Sequence, residues 1–184
     1  MKPFHLTFTQ TLILTTLLLL ASCSQEQSST TNEVEKMPEL KLTSPAFEDN
    51  GNIPSKYTCQ GDGINPPLNI EGIPENAESL ILMMDDPDAP AGTWGHWIVF
   101  NIPKVSNIDE NSVPDGAVQG KNSWGNNNYG GPCPPSGTHR YMFKLYALDT
   151  KLELDESSDK KGVESAMQGH ILAETRLVGL YSKG

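Results

Sequence analysis

The sequence predicts a mainly β fold: an antiparallel β-sandwich of two sheets, Greek-key-like in its connections, with one late C-terminal helix. Three observations carry this expectation. Strand-like apolar segments recur at residues 79–84, 96–102 and 139–149. Only one stretch, near the C-terminus, has helical spacing. Fourteen Pro and 16 Gly among 184 residues supply many turns and argue against a helical bundle. The length is that of one domain with a tail.

The tail comes first. Lys2 is the only Lys, Arg, Asp or Glu before Glu26, and residues 12–21 are apolar except for Thr15 and Thr16. An apolar run of this length falls well short of the roughly 20 residues a bilayer span needs, and it fits a secretory signal. The run ends in Leu20-Ala21-Ser22-Cys23, which resembles the bacterial lipobox. Residues 1–22 are therefore expected to be a lipoprotein signal peptide, removed to leave Cys23 carrying a diacylglyceryl group. An ordinary signal peptide followed by a chance Cys is the alternative. Ser24, not Asp, follows the Cys, a pattern resembling that of lipoproteins sent to the outer membrane of a Gram-negative cell. This places the protein in the bacterial cell envelope, anchored by lipid, with its domain outside the cytoplasm. Residues 23–39 carry almost no large apolar side chains and read as a disordered tether. Its r.m.s. reach is about 20–25 Å. The folded domain is expected over residues 40–184.

Within the domain, residues 40–43 alternate and form a first short strand. Asp49-Asn50-Gly51-Asn52 is turn chemistry. Residues 54–74 hold four Pro and three Gly, and are expected to be irregular or an edge strand. Residues 79–84 (SLILMM) form an unbroken apolar strand, buried on both faces. Asp85-Asp86-Pro87-Asp88-Ala89-Pro90 ends it, and residues 96–102 (HWIVFNI) form the next strand. Residues 107–137 are rich in Gly, Asn, Pro and Ser; a loop of that length inside a compact domain points to function. Residues 139–149 form a long strand, with Tyr141, Phe143, Leu145 and Ala147 on one face. Ser157-Ser158-Asp159 supplies cap candidates for a helix in which Val163, Ala166, Met167, His170, Ile171 and Glu174 follow helical spacing. Residues 176–181 form a short closing strand.

The chain carries 13 Lys and Arg against 23 Asp and Glu, a net charge of −10. That excludes a nucleic-acid grip through counterion release and adhesion to anionic lipid by charge alone. With Cys23 lipidated, Cys59 and Cys133 remain, an even number in an oxidising compartment, and a disulfide between them is the expected pairing. Two buried free thiols are the alternative.

Two segments could carry chemistry. In Asp86-Pro87-Asp88-Ala89-Pro90, two Pro stiffen a turn and aim two carboxylates beside a strand end. Those carboxylates could bind an ammonium or hydroxyl ligand, or could satisfy the turn's own N–H groups. The residues an EF-hand would need after Asp86 are absent. In residues 131–141, a Pro-rich rim with Pro134 and Pro135 leads into His139, Arg140 and Tyr141, donors suited to phosphate. A solvent-open anion pocket is one reading, and purely structural hydrogen bonds are the other. Trp94 and His96 add an indole and an imidazole at a neighbouring strand start. No metal site is expected, because no close His pair exists and the two Cys lie far apart. There is no nucleophile elbow, dinucleotide fingerprint or P-loop, so neither a catalytic residue nor a cofactor is assigned.

Asp86-Pro87-Asp88-Ala89-Pro90 and Gly137-Thr138-His139-Arg140-Tyr141 together resemble the two signatures of the phosphatidylethanolamine-binding proteins, also called Raf kinase inhibitor-like proteins. Lys56-Tyr57-Thr58-Cys59, Asn65-Pro66-Pro67-Leu68, Gly131-Pro132-Cys133-Pro134-Pro135 and Gly169-His170-Ile171-Leu172-Ala173 resemble its bacterial branch. The resemblance runs from about residue 40 to 181. It implies a β-sandwich with a small anion-accepting pocket at one end. The implied ligand-binding residues are Asp86, Asp88, Trp94, His96, Pro134, Pro135, His139 and Tyr141, with Arg140 structural. The implied ligand is a phosphate-bearing small molecule or phospholipid head group, with Asp86 free to accept from an ammonium. The expected function is a membrane-tethered binding protein. A protein-interaction or inhibitor module using the same region is the alternative, and a hydrolase using Asp86, His96 or His139 a third reading.

Overall fold

The structure is a computed structural model and describes residues 39–183. The signal peptide, Cys23 and all of the tether but Glu39 lie outside the described residues.

Among the described residues the elements run β1 (Lys41–Thr43), β2 (Gly51–Asn52), β3 (Leu68–Glu71), β4 (Ser79–Asp86), β5 (Trp94–Ile102), β6 (Asn107–Ile108), β7 (Val118–Gln119), β8 (Thr138–Leu148), α1 (Lys160–Ala166) and β9 (Ile171–Ser182), with a 3₁₀ turn at Ser55–Tyr57. They build two sheets, one of three strands in the order β1-β3-β6 and one of six in the order β2-β9-β8-β4-β5-β7. The fold is thus mainly β, with two sheets and one short helix, as the sequence predicts. Pairing is antiparallel except between β2 and β9, which run parallel.

β4 is buried at every position because it has a core on each face. Leu80, Leu82 and Met84 join Trp97, Val99, Tyr141, Phe143 and Leu145 in the core between the sheets. Ile81 and Met83 point the other way, joining Ile98, Phe100, Leu148, Val163 and Met167 beneath α1. A continuous apolar run is the sequence form of such a strand, since period-2 alternation requires one wet face.

The structure corrects two expectations. Residues 68–71 are not an edge but the central strand of the smaller sheet. Leu68 and Ile70 are buried while Asn69 and Glu71 are exposed, a period-2 pattern hidden among the flanking Pro residues. The helix is also far shorter than the spacing through Glu174 implies. Asp159 caps it by accepting from Gly162 N at 2.9 Å, and it stops at Ala166. Gly169 follows with φ +82°, the left-handed turn that commonly closes a helix. The chain therefore closes on a strand, and β9 pairs with β8 from Thr138↔Ser182 to Leu148↔Ile171. Ladder pairing of that length outweighs the weak local preference that a few apolar positions at helical spacing express.

Asp85 clamps α1 to the sheet. It is fully buried on β4, and its Oδ2 receives Lys144 Nζ at 2.8 Å and Lys160 Nζ at 3.0 Å. The loop between β7 and β8 owes its shape to Asn122, which is buried. Asn122 Oδ1 accepts from Trp124 N and Asn126 N, each at 3.0 Å. Its Nδ2 donates to Asn128 O, also at 3.0 Å.

Candidate ligand-binding site

Antiparallel pairing of β5, β4 and β8 brings the sequence-distant candidates to one end of the larger sheet. Asp86, the last residue of β4, sits opposite Trp94, the first of β5. On β8, residues alternate between faces, so His139 and Tyr141 point the same way.

Asp86 is engaged at both oxygens. Oδ2 accepts from His139 Nδ1 at 2.7 Å, and Oδ1 accepts from Asp88 N at 2.9 Å. The carboxylate therefore orients the imidazole and closes the Pro-flanked turn, with both oxygens already engaged. The pair is buried, with the His139 and Asp86 side chains 9% and 5% exposed. These two side chains are therefore not the solvent-facing groups that the exposed-pocket reading expects.

Asp88 does not reach toward the imidazoles. Its Oδ2 accepts from Arg140 N and Arg140 Nε, both at 2.9 Å, and its Oδ1 from Arg140 Nη2 at 2.7 Å. Those hydrogen bonds hold the Asp88 carboxyl down at about 2. The pair staples the β4–β5 turn to the start of β8.

His96 is 3% exposed on β5. Its Nδ1 lies 2.7 Å from Gly130 O. A carbonyl only accepts, so Nδ1 carries the proton and Nε2 is left available. Burial pushes the His96 pKa below its usual 6.5, against the opposing pull of the Gly130 carbonyl and Asp86. The same logic at Asp86 leaves His139 with Nε2 as its second nitrogen. Both imidazoles are thus oriented through Nδ1.

The Tyr141 ring packs edge-to-face with His96 at 5.2 Å between centroids. Burial and the nearby Asp86 charge push its phenol pKa upward, so the hydroxyl stays protonated as a donor. The Cys133 backbone and Asp86 lie near that hydroxyl, yet it makes no hydrogen bond of good geometry. Trp94 Nε1 is likewise buried without a partner. Two orphaned donors beside His96 are unusual, because a buried unmade hydrogen bond costs about 1–3 kcal/mol.

The Pro-rich rim arrives through the disulfide. Cys59 and Cys133 are bonded, with Cα atoms 5.4 Å apart. Both residues are exposed, so the structure does not hold them as buried thiols. Cys59 N also donates to Pro132 O at 3.1 Å. Pro134 is buried and Pro135 exposed on the segment that continues to β8.

Sequence reasoning missed Trp124. Its indole stands edge-to-face against His96 at 4.9 Å and against Trp94 at 5.5 Å. A large aromatic isolated in a Gly/Asn-rich loop was the available signal. Gly130 makes room for it: a Cβ there would fall 2.4 Å from Trp124 Cζ3.

Chemistry, not volume, marks this site. A groove of about 400 Å³ over β8 and β9 is lined by Lys144, Tyr146, Glu174, Thr175 and Arg176, and includes neither imidazole nor orphaned donor. Among the described residues, no three His, Cys, Asp or Glu side chains are placed to hold a metal ion.

Comparison with known proteins places this arrangement. A UPF0098 protein of Methanothermobacter thermautotrophicus is 52% identical over 151 residues, covering 79% of this chain and all of that protein. A solved phosphatidylethanolamine-binding protein homolog from Chlamydia trachomatis has a TM-score of 0.77 at 45% identity, covering 80% of this chain and 99% of its own. The E. coli protein YbcL, described as a new member of the mammalian phosphatidylethanolamine-binding family, has a TM-score of 0.75 at 31% identity, covering 79% and 99%. The relatives thus include archaeal and bacterial proteins, and the match does not single out a bacterial branch. The model of the phosphatidylethanolamine-binding protein family matches residues 43–182, which contain every side chain of the site described above. The chain belongs to the phosphatidylethanolamine-binding protein family.

Proposed function

We propose that this protein is a non-enzymatic, membrane-tethered binding protein whose site accepts the phosphate of a small ligand or phospholipid head group. The observation that carries the reading is the pair of imidazoles oriented through Nδ1 beside two orphaned donors, Trp94 Nε1 and Tyr141 Oη. A phosphate offers several acceptor oxygens at once, which is what unpaired N–H and O–H groups require. A monoprotonated phosphate also offers a P–OH, which neutral His96 can accept at Nε2. The domain is acidic overall, so recognition is local and long-range steering contributes little. The lipobox-like ending at Cys23 supports tethering in the cell envelope.

Calorimetric titration of the purified protein with inorganic phosphate and with O-phosphorylethanolamine tests the reading. Saturable binding weakened about tenfold or more by His96→Gln supports it, the loss expected for a hydrogen bond to a charged group. Absence of binding by either compound to the unaltered protein overturns it.

A further inference from the structure

Trp124 is 49% exposed, one of two large apolar side chains exposed among the described residues. It is nevertheless held firmly. Its own N–H donates to Asn122 Oδ1, Gly125 N donates to Asn122 O at 2.8 Å, and Asn122 N donates to Asn126 O at 2.9 Å. Gly130 presses against the indole's benzo ring, as only a residue without Cβ can. The loop thus fixes a large aromatic side chain that fills no core and leaves half its surface to solvent. Part of that indole touches His96 and Trp94, both members of the site.

The carboxylates narrow what this surface can recognise. Asp86 is taken up by His139 and the turn, and Asp88 by Arg140. A cationic group on a bound phosphate ester therefore meets carboxylates already paired with His139 and Arg140. An indole face is the strongest of the aromatic surfaces for an ammonium cation.

We infer that Trp124 is the specificity-determining residue of the site: it receives the alkylammonium substituent of a phosphate monoester whose phosphate sits at His96, His139 and the orphaned donors. The inference rests on the phosphate-binding reading above. It explains why the loop spends five Asn and Gly positions on holding one exposed ring, and it predicts discrimination between esterified and inorganic phosphate.

The test compares three probes on the full chain: inorganic phosphate, phosphocholine and 3,3-dimethylbutyl phosphate, an uncharged isostere of phosphocholine. In the unaltered protein phosphocholine binds more tightly than the isostere. In Trp124→Ala the affinity for phosphocholine falls about three- to tenfold, in line with a cation over an indole, while inorganic phosphate stays within about twofold. Trp124→Phe retains most of the preference. Phosphocholine also shifts the protein's tryptophan emission, and Trp124→Phe reduces that shift to the part inorganic phosphate produces through Trp94. Equal losses for phosphocholine and inorganic phosphate in Trp124→Ala would reduce Trp124 to a support for His96 and overturn the inference while leaving phosphate binding intact. Unchanged phosphocholine affinity would do the same. Failure of the unaltered protein to bind any of the three removes the phosphate site itself, and the role of Trp124 with it.

Discussion

Asp86 and His139 are each nearly sequestered from water, and each is the other's hydrogen-bond partner. Removing one member of such a pair leaves a buried charge uncompensated, at a cost of about 3–5 kcal/mol. His139→Ala is therefore expected to lower the unfolding midpoint markedly in thermal or urea denaturation at pH 7. Asp86→Asn, which keeps an acceptor for Nδ1, costs less, about 1–3 kcal/mol. A His139→Ala melting curve superimposable on the unaltered protein would show that the pair is open to solvent. His96 makes a pH prediction. Its pKa is lowered in the folded state by burial. The unfolded chain therefore binds a proton at about 6.5 that the folded chain refuses, so stability falls as pH drops below that value and is intact above it. Unfolding free energies measured between pH 8 and 5 should slope accordingly, and His96→Gln should flatten the slope. Anion binding runs the opposite way, because acidification supplies the monoprotonated phosphate whose P–OH neutral His96 accepts at Nε2: affinity rises from pH 8 to 6. An affinity that falls over that range would contradict the assignment.

At the scale of elements, the site depends on the rim being tied to the 3₁₀ turn. The Cys59–Cys133 bridge spans 74 residues. Closing a loop of that length restricts the unfolded chain by about 4 kcal/mol in the entropic account, with measured bridges nearer 2–4 kcal/mol. Both cysteines are exposed, so a reductant reaches them without prior unfolding. Dithiothreitol should lower the melting temperature, and the double variant Cys59→Ala/Cys133→Ala should melt at the reduced protein's temperature and no longer respond to reductant. A melting curve indifferent to reductant in the unaltered protein would contradict this. The elements also show where local pattern misleads. Ile171 and Glu174 lie at helical spacing from Met167, yet they belong to β9, and Ile171 is exposed. Leu68 and Ile70 announce a strand, yet the surrounding Pro residues disguise its central place. In both cases a non-local partner, β8 or the β1/β6 pair, supplies the hydrogen bonds that decide.

For the whole molecule, the proposed tether and the proposed binding site are separable. The domain carries a net charge of −8, with 11 Lys and Arg against 19 Asp and Glu in residues 40–184. It has little electrostatic reason to approach an anionic bilayer, so a lipid on Cys23 would do all the anchoring. Detergent phase partitioning of the mature protein should place it in the detergent phase, and Cys23→Ser should move it to the aqueous phase with no acyl mass. Aqueous partitioning of the unaltered protein would remove the anchor from the proposal. The sequence by itself determined the fold class, because apolar runs, Pro/Gly punctuation and one short helical patch are local properties written residue by residue. It also determined the family, through two signatures that survive as contiguous strings. Tertiary structure alone decided what the signature side chains do. Asp86 turns to His139, Asp88 is spent on Arg140, and Trp124 comes to rest against His96 across a long loop. Hydrogen bonds are satisfied by whichever partner the folded chain delivers within about 3 Å, and sequence spacing does not report that distance.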